Sequence, residues 1–162
     1  MVVVLRHLTA ILLLPFVAVV AVPYLLLGAF APSDMRWGGL WLLGAALFAC
    51  GFFLFGWCVS LFALVGRGTL APWDPTQALV AVGPYRHVRN PMISGVAAML
   101  AGEALFFGSW ALALWALLFV LVNHVYFLAS EEPGLEQRFG ESYRGYKASV
   151  PRWIPRIPPW SP

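Results

Sequence analysis

The sequence predicts an all-α integral membrane bundle of about four transmembrane helices, followed by a cytoplasmic tail that is part helical and part extended. Three observations predict it. Of 162 residues, 61% are hydrophobic and 10% charged, with a mean hydropathy of +0.81, too little polar side chain to coat a water-soluble globule. The apolar residues fall in long runs, most of them uncharged, and a run of about 20 residues crosses roughly 30 Å of hydrocarbon. The ten basic residues gather in small groups beside those runs, which fits an anionic membrane surface rather than nucleic acid. Together these exclude a disordered regulator and a soluble enzyme.

The first run, about Leu8 to Phe30, is uncharged and long enough to span. Pro15 and Pro23 lie inside it and each removes a backbone donor, so a kinked helix is expected. Ala29-Phe30-Ala31 resembles a signal-cleavage site, but the run is longer than the usual core of about 7–15 residues and only Arg6 charges its front, so an uncleaved span is expected. The second run, about Gly38 to Val65, is flanked by Trp37, Trp41 and Trp57 as interfacial anchors. Cys50 and Cys58 match neither a disulfide framework nor a CxxC pair and read as small buried hydrophobes. Gly38, Gly39, Gly51 and Gly56 offer small-residue surfaces for close helix packing.

After a polar segment, about Gly66 to Asn90, apolar sequence runs from Pro91 to about Ala129 with one charge, Glu103. A turn near Phe107-Gly108-Ser109-Trp110 makes it a helical hairpin with a short first arm. Asn90 is expected to cap the first exposed amides, and Pro91 suits the first helical position. Four crossings put both termini on one side. Arg6, Arg67, Arg86, Arg89, Arg138, Arg144, Lys147, Arg152 and Arg156 share that face and only Arg36 lies opposite, so termini and middle loop are expected to be cytoplasmic, with a bacterial inner membrane as the expected location. The chain reads as one membrane domain, 1–162, with scaffold helices over 1–66 and a chemically distinct core over 79–157.

Two polar segments abut the cytoplasmic ends of the hairpin: Gly83-Pro84-Tyr85-Arg86-His87-Val88-Arg89-Asn90-Pro91 before it, and Glu131-Glu132-Pro133-Gly134-Leu135-Glu136-Gln137-Arg138-Phe139-Gly140 after it. Topology alone brings cations on one to paired carboxylates on the other. Beyond them, Leu135, Phe139 and Tyr143 recur at spacing four, predicting a short surface helix with one apolar, aromatic side. The proline-rich end, Pro151 to Pro162, is expected to run along the surface as extended chain.

In order and spacing these pieces resemble the membrane methyltransferases that include isoprenylcysteine carboxyl methyltransferase and the phospholipid N-methyltransferases. That pattern joins Gly-Pro-Tyr, Arg-(His or Asn)-Pro at a helix start, a Glu-Glu pair after a hairpin, Phe-Gly-x-x-Tyr-x-x-Tyr and Val-Pro-Arg-x-x-Pro. It covers about residues 79 to 157. The resemblance implies an S-adenosylmethionine pocket made by the last two membrane helices, capped by the tail and open to lipid for an apolar acceptor. Carried over by position, Arg89, Glu131 and Glu132 are the implied catalytic residues. Tyr85, Arg89, Asn90, Pro91, Glu131, Glu132, Tyr143 and Tyr146 are implied to hold the cofactor, and Arg152 the substrate; His124, whose depth on the returning arm brings it level with Arg89 and Glu131, is a further candidate for the cofactor pocket, and Glu103, an ionisable group inside a span, for the substrate site. Cations, carboxylates and aromatic walls together suit a ligand carrying a carboxylate, an ammonium, hydroxyls and a flat base.

Two departures bear on the acceptor. Ile93 stands where the family often has tyrosine, and Asn90 where the prenylcysteine enzymes usually have histidine, which leans away from a prenylcysteine acceptor. The implied reaction is methyl transfer to a lipophilic or membrane-delivered carboxylate, thiol or amine. Plainer readings stand beside each residue. Arg86, His87 and Arg89 serve equally as positive-inside anchors, Glu131 and Glu132 as a solvated helix end, and His124 as a helix-to-helix hydrogen-bonding group. Glu103, inside a span, suits a neutral structural role as well as an acceptor site, and lies too far in depth from His124 to pair with it. No metal is expected, because no ligand cluster accompanies the glutamates. Two other functions fit less well: an NADPH-dependent membrane reductase of related fold, and a non-catalytic membrane scaffold. The residues specify neither the acceptor nor an oligomeric state.

Overall fold

A computed structural model describes residues 14–30, 39–66 and 79–161, and every regular element among them is helical. Helix α1 is Leu14–Ala29 and α2 is Leu40–Leu61, prolonged by a π-turn over Phe62–Gly66. A 3-10 turn, Gly83–Arg86, precedes α3 (Pro91–Phe107) and α4 (Trp110–Tyr126), and a π-turn over Phe127–Glu131 carries α4 into α5 (Glu132–Ser149). The chain is the all-α membrane bundle expected of it. Leu40–Val65 and the apolar first part of the helical stretch Trp110–Ser149 are long and apolar enough to cross a bilayer, and α1 and α3 are shorter apolar helices. Phe52, Phe53, Leu114 and Leu121 point outward, a surface suited to lipid. Trp41 and Trp57 are exposed near the two ends of α2, as anchors would be. Trp37, Ala31, Arg6, Arg36 and Arg67, on which parts of the anchoring, cleavage and orientation readings rest, lie outside the described residues.

The expected disruption of α1 takes the form of a π-turn, Val17–Ala21, in which the Val22 amide bonds to Val17 O. In that register the Ala18 carbonyl faces Pro23, which has no N–H to give. Trp115 of α4 supplies the missing donor, its Nε1 lying 2.9 Å from Ala18 O. The proline thus creates an acceptor that docks α1 onto α4.

The tightest packing joins α2 to α3. A Cβ built on Gly44 would stand 2.6 Å from Gly102 O, and one on Gly51 2.5 Å from Gly95 O; the reverse approaches, 2.7 and 2.9 Å, are as close. Each glycine pair is seven residues apart, about two helical turns, so the antiparallel backbones touch twice along one stripe. Gly51 was expected to serve close packing and does. Gly56 faces open space and Gly39 starts α2 with a left-handed φ, while Gly44 is the partner the sequence did not single out. Val96, Met99 and Leu100 of α3 fill the centre against Ala18, Val19 and Ala116.

Three local expectations are corrected. Cys58 is buried but Cys50 is exposed: on a membrane helix an apolar run need not be buried in protein, because lipid solvates the outer face. Asn90 makes no side-chain cap. Its carbonyl instead accepts from the Ser94 amide at 3.0 Å and the Ser94 hydroxyl at 2.9 Å, and Pro91 at the first position already removes one amide that needed a partner. The single surface helix through Leu135, Phe139 and Tyr143 is broken at Gly140, whose φ of 52° and ψ of −128° are not helical. The turn at Gly108 and Ser109 is as expected, with Gly108 left-handed and Ser109 Oγ accepting from Leu112 N.

The break at Gly140 folds α5 back on itself. Lys147 Nζ lies 3.4 Å from Glu132 Oε2 and Arg144 Nε 2.8 Å from Glu136 Oε1, contacts that a straight helix would hold more than about 10 Å apart. Leu135 and Phe139 still meet Tyr143, Tyr146 and Val150 in one cluster, but across the fold-back rather than along a stripe. After Val150 the chain leaves the helix and runs as irregular backbone bent at residues 152–154 and 157–158. Its backbone pairs with the loop before α3, Arg89 N to Pro151 O at 2.9 Å, Arg156 N to His87 O at 3.0 Å and Trp160 N to Arg86 O at 2.9 Å.

Candidate active site

The loop before α3 is shaped by Gly83, whose φ of +56° admits the chain into the 3-10 turn that glycine tolerates. Pro84 then sets the turn and Tyr85 is buried against Cys58, Val80 and Met92. Burial and the adjoining Cys58 push the Tyr85 phenol well above its ordinary range, so it stays neutral. Its carbonyl accepts the Tyr146 hydroxyl at 2.6 Å. That bond ties the returning half of α5 to the loop, and the strap of residues 151–160 closes over the same loop.

These ties bring Arg89 and Glu132 together, as topology predicts. Arg89 Nη1 donates to Glu132 Oε1 at 2.8 Å, and the two side chains are only 11% and 6% exposed. Arg152 donates to the same oxygen from Nε and from Nη2, each at 2.7 Å. Lys147 approaches Oε2. One buried carboxylate therefore stands among three cations. Burial alone would raise the Glu132 carboxyl, but the Arg152 hydrogen bond and the Arg89 charge prevail and hold it below its usual value. Glu131 behaves oppositely: burial, reinforced by the charge of Glu132, pushes it up to about 7. The Tyr143 phenol is raised by burial and by Glu132. Arg89 Nε is buried with no acceptor among the described residues.

Beside this cluster a cleft of about 400 Å³ is lined by Leu128, Glu132, Pro133, Glu136, Gln137, Arg144 and Lys147. It carries both signs of charge and one apolar wall. Among the described residues no three His, Cys, Asp or Glu side chains group as metal ligands do.

The residue pattern matches known proteins over the same elements. The profile of a family described as phospholipid methyltransferase covers residues 40–142, from the start of α2 to just past the fold-back. The chain belongs to the phospholipid methyltransferase family. Among curated relatives of this family member, a protein-S-isoprenylcysteine O-methyltransferase of Schizosaccharomyces pombe is 36% identical over 83 residues, 49% of this chain and 34% of that enzyme. An uncharacterized protein of Haemophilus influenzae is 38% identical over 56 residues, 35% of this chain and 89% of its own length. This phospholipid methyltransferase family member thus spans about a third of the Schizosaccharomyces pombe enzyme. No solved structure matches it.

Of the site residues read from the sequence, the fold collects Arg89, Glu132 and Arg152 by direct contact, with Glu131 and Tyr143 close enough to feel or set their charge. Tyr85 and Tyr146 bond to each other. Pro91 is buried at the start of α3 and Asn90 is half-buried beside it. His124 Nδ1 accepts from Trp153 Nε1 at 3.1 Å, pinning the strap to α4. Glu103 is not gathered in. It sits twelve residues along α3 from Pro91, about 18 Å away, with Oε2 buried and without a hydrogen-bond partner among the described residues. Lys147 was missed as a site residue. Fifteen positions from Glu132, it reaches the carboxylate only because Gly140 reverses the chain, and Gly140 as the middle of Phe-Gly-x-x-Tyr was the one signal for it.

Proposed function

We propose that this protein transfers a methyl group from S-adenosylmethionine to a lipophilic acceptor delivered from the membrane, using the Glu132 cluster as its cofactor site, with both termini cytoplasmic. The observation that carries the reading is the excess of cations around one buried carboxylate together with the orphaned Arg89 Nε. A buried donor without an acceptor is uncommon and fits an anion that completes it. The donor set suits the cofactor on both sides of its amino-acid moiety. Arg89, Arg152 and Lys147 would bind the carboxylate, Glu131 and Glu132 the ammonium or ribose hydroxyls, and Tyr143 would form a wall. Bound there, the cofactor supplies a methyl group already activated on a sulfonium.

The chain's own part is to position and to dry the site. The fold-back of α5 and the strap lie over the start of α3 and the end of α4, where they would exclude water and hold donor and acceptor in line. For an amine acceptor a proton must leave, and a carboxyl near neutrality, Glu131, is suited to take it on a carboxylate oxygen. Asn90 in place of histidine and the family description support a lipid acceptor over prenylcysteine.

The test is titration of detergent-purified protein with S-adenosylmethionine, S-adenosylhomocysteine and NADPH, for wild type, Glu131→Gln and the Glu131→Ala/Glu132→Ala double variant, with folding followed by circular dichroism. Saturable binding of the first two, weakened in the single variant and lost in a folded double variant, is the expected result. NADPH binding alone turns the assignment to a reductase, and no binding by folded protein leaves a scaffold.

A further inference from the structure

A second cleft of about 480 Å³, sharing no lining residue with the first, lies along the Arg86–Pro91 segment, within the range of about 300–1,000 Å³ common for ligand sites. Leu54 and Trp57 of α2 form one wall, Arg86 and His87 the loop side, and Pro155 and Pro159 of the strap the third. Its lining is mainly apolar. Trp57 also faces outward on α2, next to the exposed Phe53, so the apolar wall runs without interruption into the lipid-facing surface.

Charge distinguishes Arg86 from the cations of the first cleft. Arg89, Arg144, Lys147 and Arg152 each have a carboxylate partner. Arg86 has none among the described residues; its single side-chain bond is from Nε to the Trp160 carbonyl at 2.5 Å. That bond fixes the guanidinium without neutralising it and leaves both terminal nitrogens available. His87 is occupied differently, its Nδ1 donating to Arg156 O at 2.8 Å. An immobilised, unneutralised guanidinium at the polar end of an apolar wall is complementary to a phosphodiester carrying acyl chains.

We propose that the cleft between Trp57, Arg86 and the Pro155–Pro159 strap binds an anionic membrane phospholipid, phosphate on Arg86 and acyl chain along Leu54 and Trp57. The site is separate from the Glu132 cluster and does not rest on the methyltransferase reading. Because the strap that forms its third wall also carries Arg152, the bound lipid holds the strap against the loop.

Native mass spectrometry of the full chain in detergent, with phosphatidylglycerol or phosphatidylcholine added, tests the proposal. Wild type is expected to retain the anionic lipid about fivefold better, the increment of one interfacial arginine. Arg86→Gln is expected to bring retention down to that of phosphatidylcholine, Arg86→Lys to keep the preference, and Trp57→Ala to weaken retention of both lipids. Circular dichroism checks that each variant is folded. Equal retention of the two lipids by wild type, or a preference that survives Arg86→Gln, overturns the site. Loss in Arg86→Lys as complete as in Arg86→Gln assigns Arg86 to holding Trp160 and also overturns it. Full displacement of phosphatidylglycerol by inorganic phosphate would mean an anion site with no lipid component. A Glu131→Gln variant whose cofactor binding weakens while its lipid preference persists separates this proposal from the first.

Discussion

Glu131 and Glu132 are neighbours with the same side chain and opposite electrostatics, because one faces cations and the other faces burial and its neighbour's charge. Their pH signatures therefore differ in sign. Glu131, raised from 4.5 to about 7, binds its proton more tightly in the folded state, so stability falls as pH rises through the window between those values. Glu131→Gln removes that slope: its melting temperature is expected to match wild type near pH 4.5 and exceed it at pH 8. A variant that tracks wild type across the window would contradict the burial. Glu132 has its carboxyl lowered, so its contribution is present above the ordinary carboxylate value and is lost as pH falls through the lower folded value. Removing it leaves Arg89 and Arg152 buried without their shared partner. Glu132→Ala is expected to lower stability by about 3–5 kcal/mol in a denaturation measurement, the largest loss of any single change in the cluster.

At the scale of elements, two sets of glycines do different work. Gly140 reverses α5 through a left-handed φ with an extended ψ, and a Cβ there would meet nothing within 4 Å. The penalty for Gly140→Ala is thus backbone strain, about 1–3 kcal/mol, read as a lower melting temperature and, under the proposed function, as weaker S-adenosylmethionine binding when Lys147 moves from Glu132. Gly145→Ala, equally uncrowded but helical, is the control and is expected to be neutral or slightly stabilising. Gly51 fails for the other reason. Its added carbons would strike the Gly95 carbonyl and the Met99 amide, so Gly51→Val is expected to destabilise by at least about 1–3 kcal/mol, while Gly56→Ala, in open space, leaves thermal stability unchanged. Equal melting temperatures for Gly51→Val and wild type would mean that α2 and α3 do not touch through this stripe.

At the scale of the whole molecule, the bundle brings two short polar segments to one end of a hairpin. Composition and run length, which act through the solvent the chain must meet, were legible without coordinates, as were the hairpin, its Gly108 turn and the Pro91 start. So was the meeting of Arg89 with Glu132, since a hairpin returns its two ends to one level. What spacing could not reveal were contacts that depend on a change of direction or register. Lys147 joins the cluster only through the reversal at Gly140, and Trp115 finds Ala18 only because a π-turn sets that carbonyl against Pro23. Gly44 finds Gly102 only once α2 and α3 lie antiparallel. Depth alone places His124 near the site, while its partner, Trp153, is supplied only by the path of the strap. Local chemistry, the solvent preference of each run and the order of motifs are properties of the chain in one dimension, and the sequence by itself determined them. Which carboxylate gathers three cations, and that Arg89 Nε has no acceptor and Arg86 no carboxylate partner among the described residues, were decided only by the tertiary structure, because desolvation and Coulomb interaction depend on distances between segments that the linear chain does not contain.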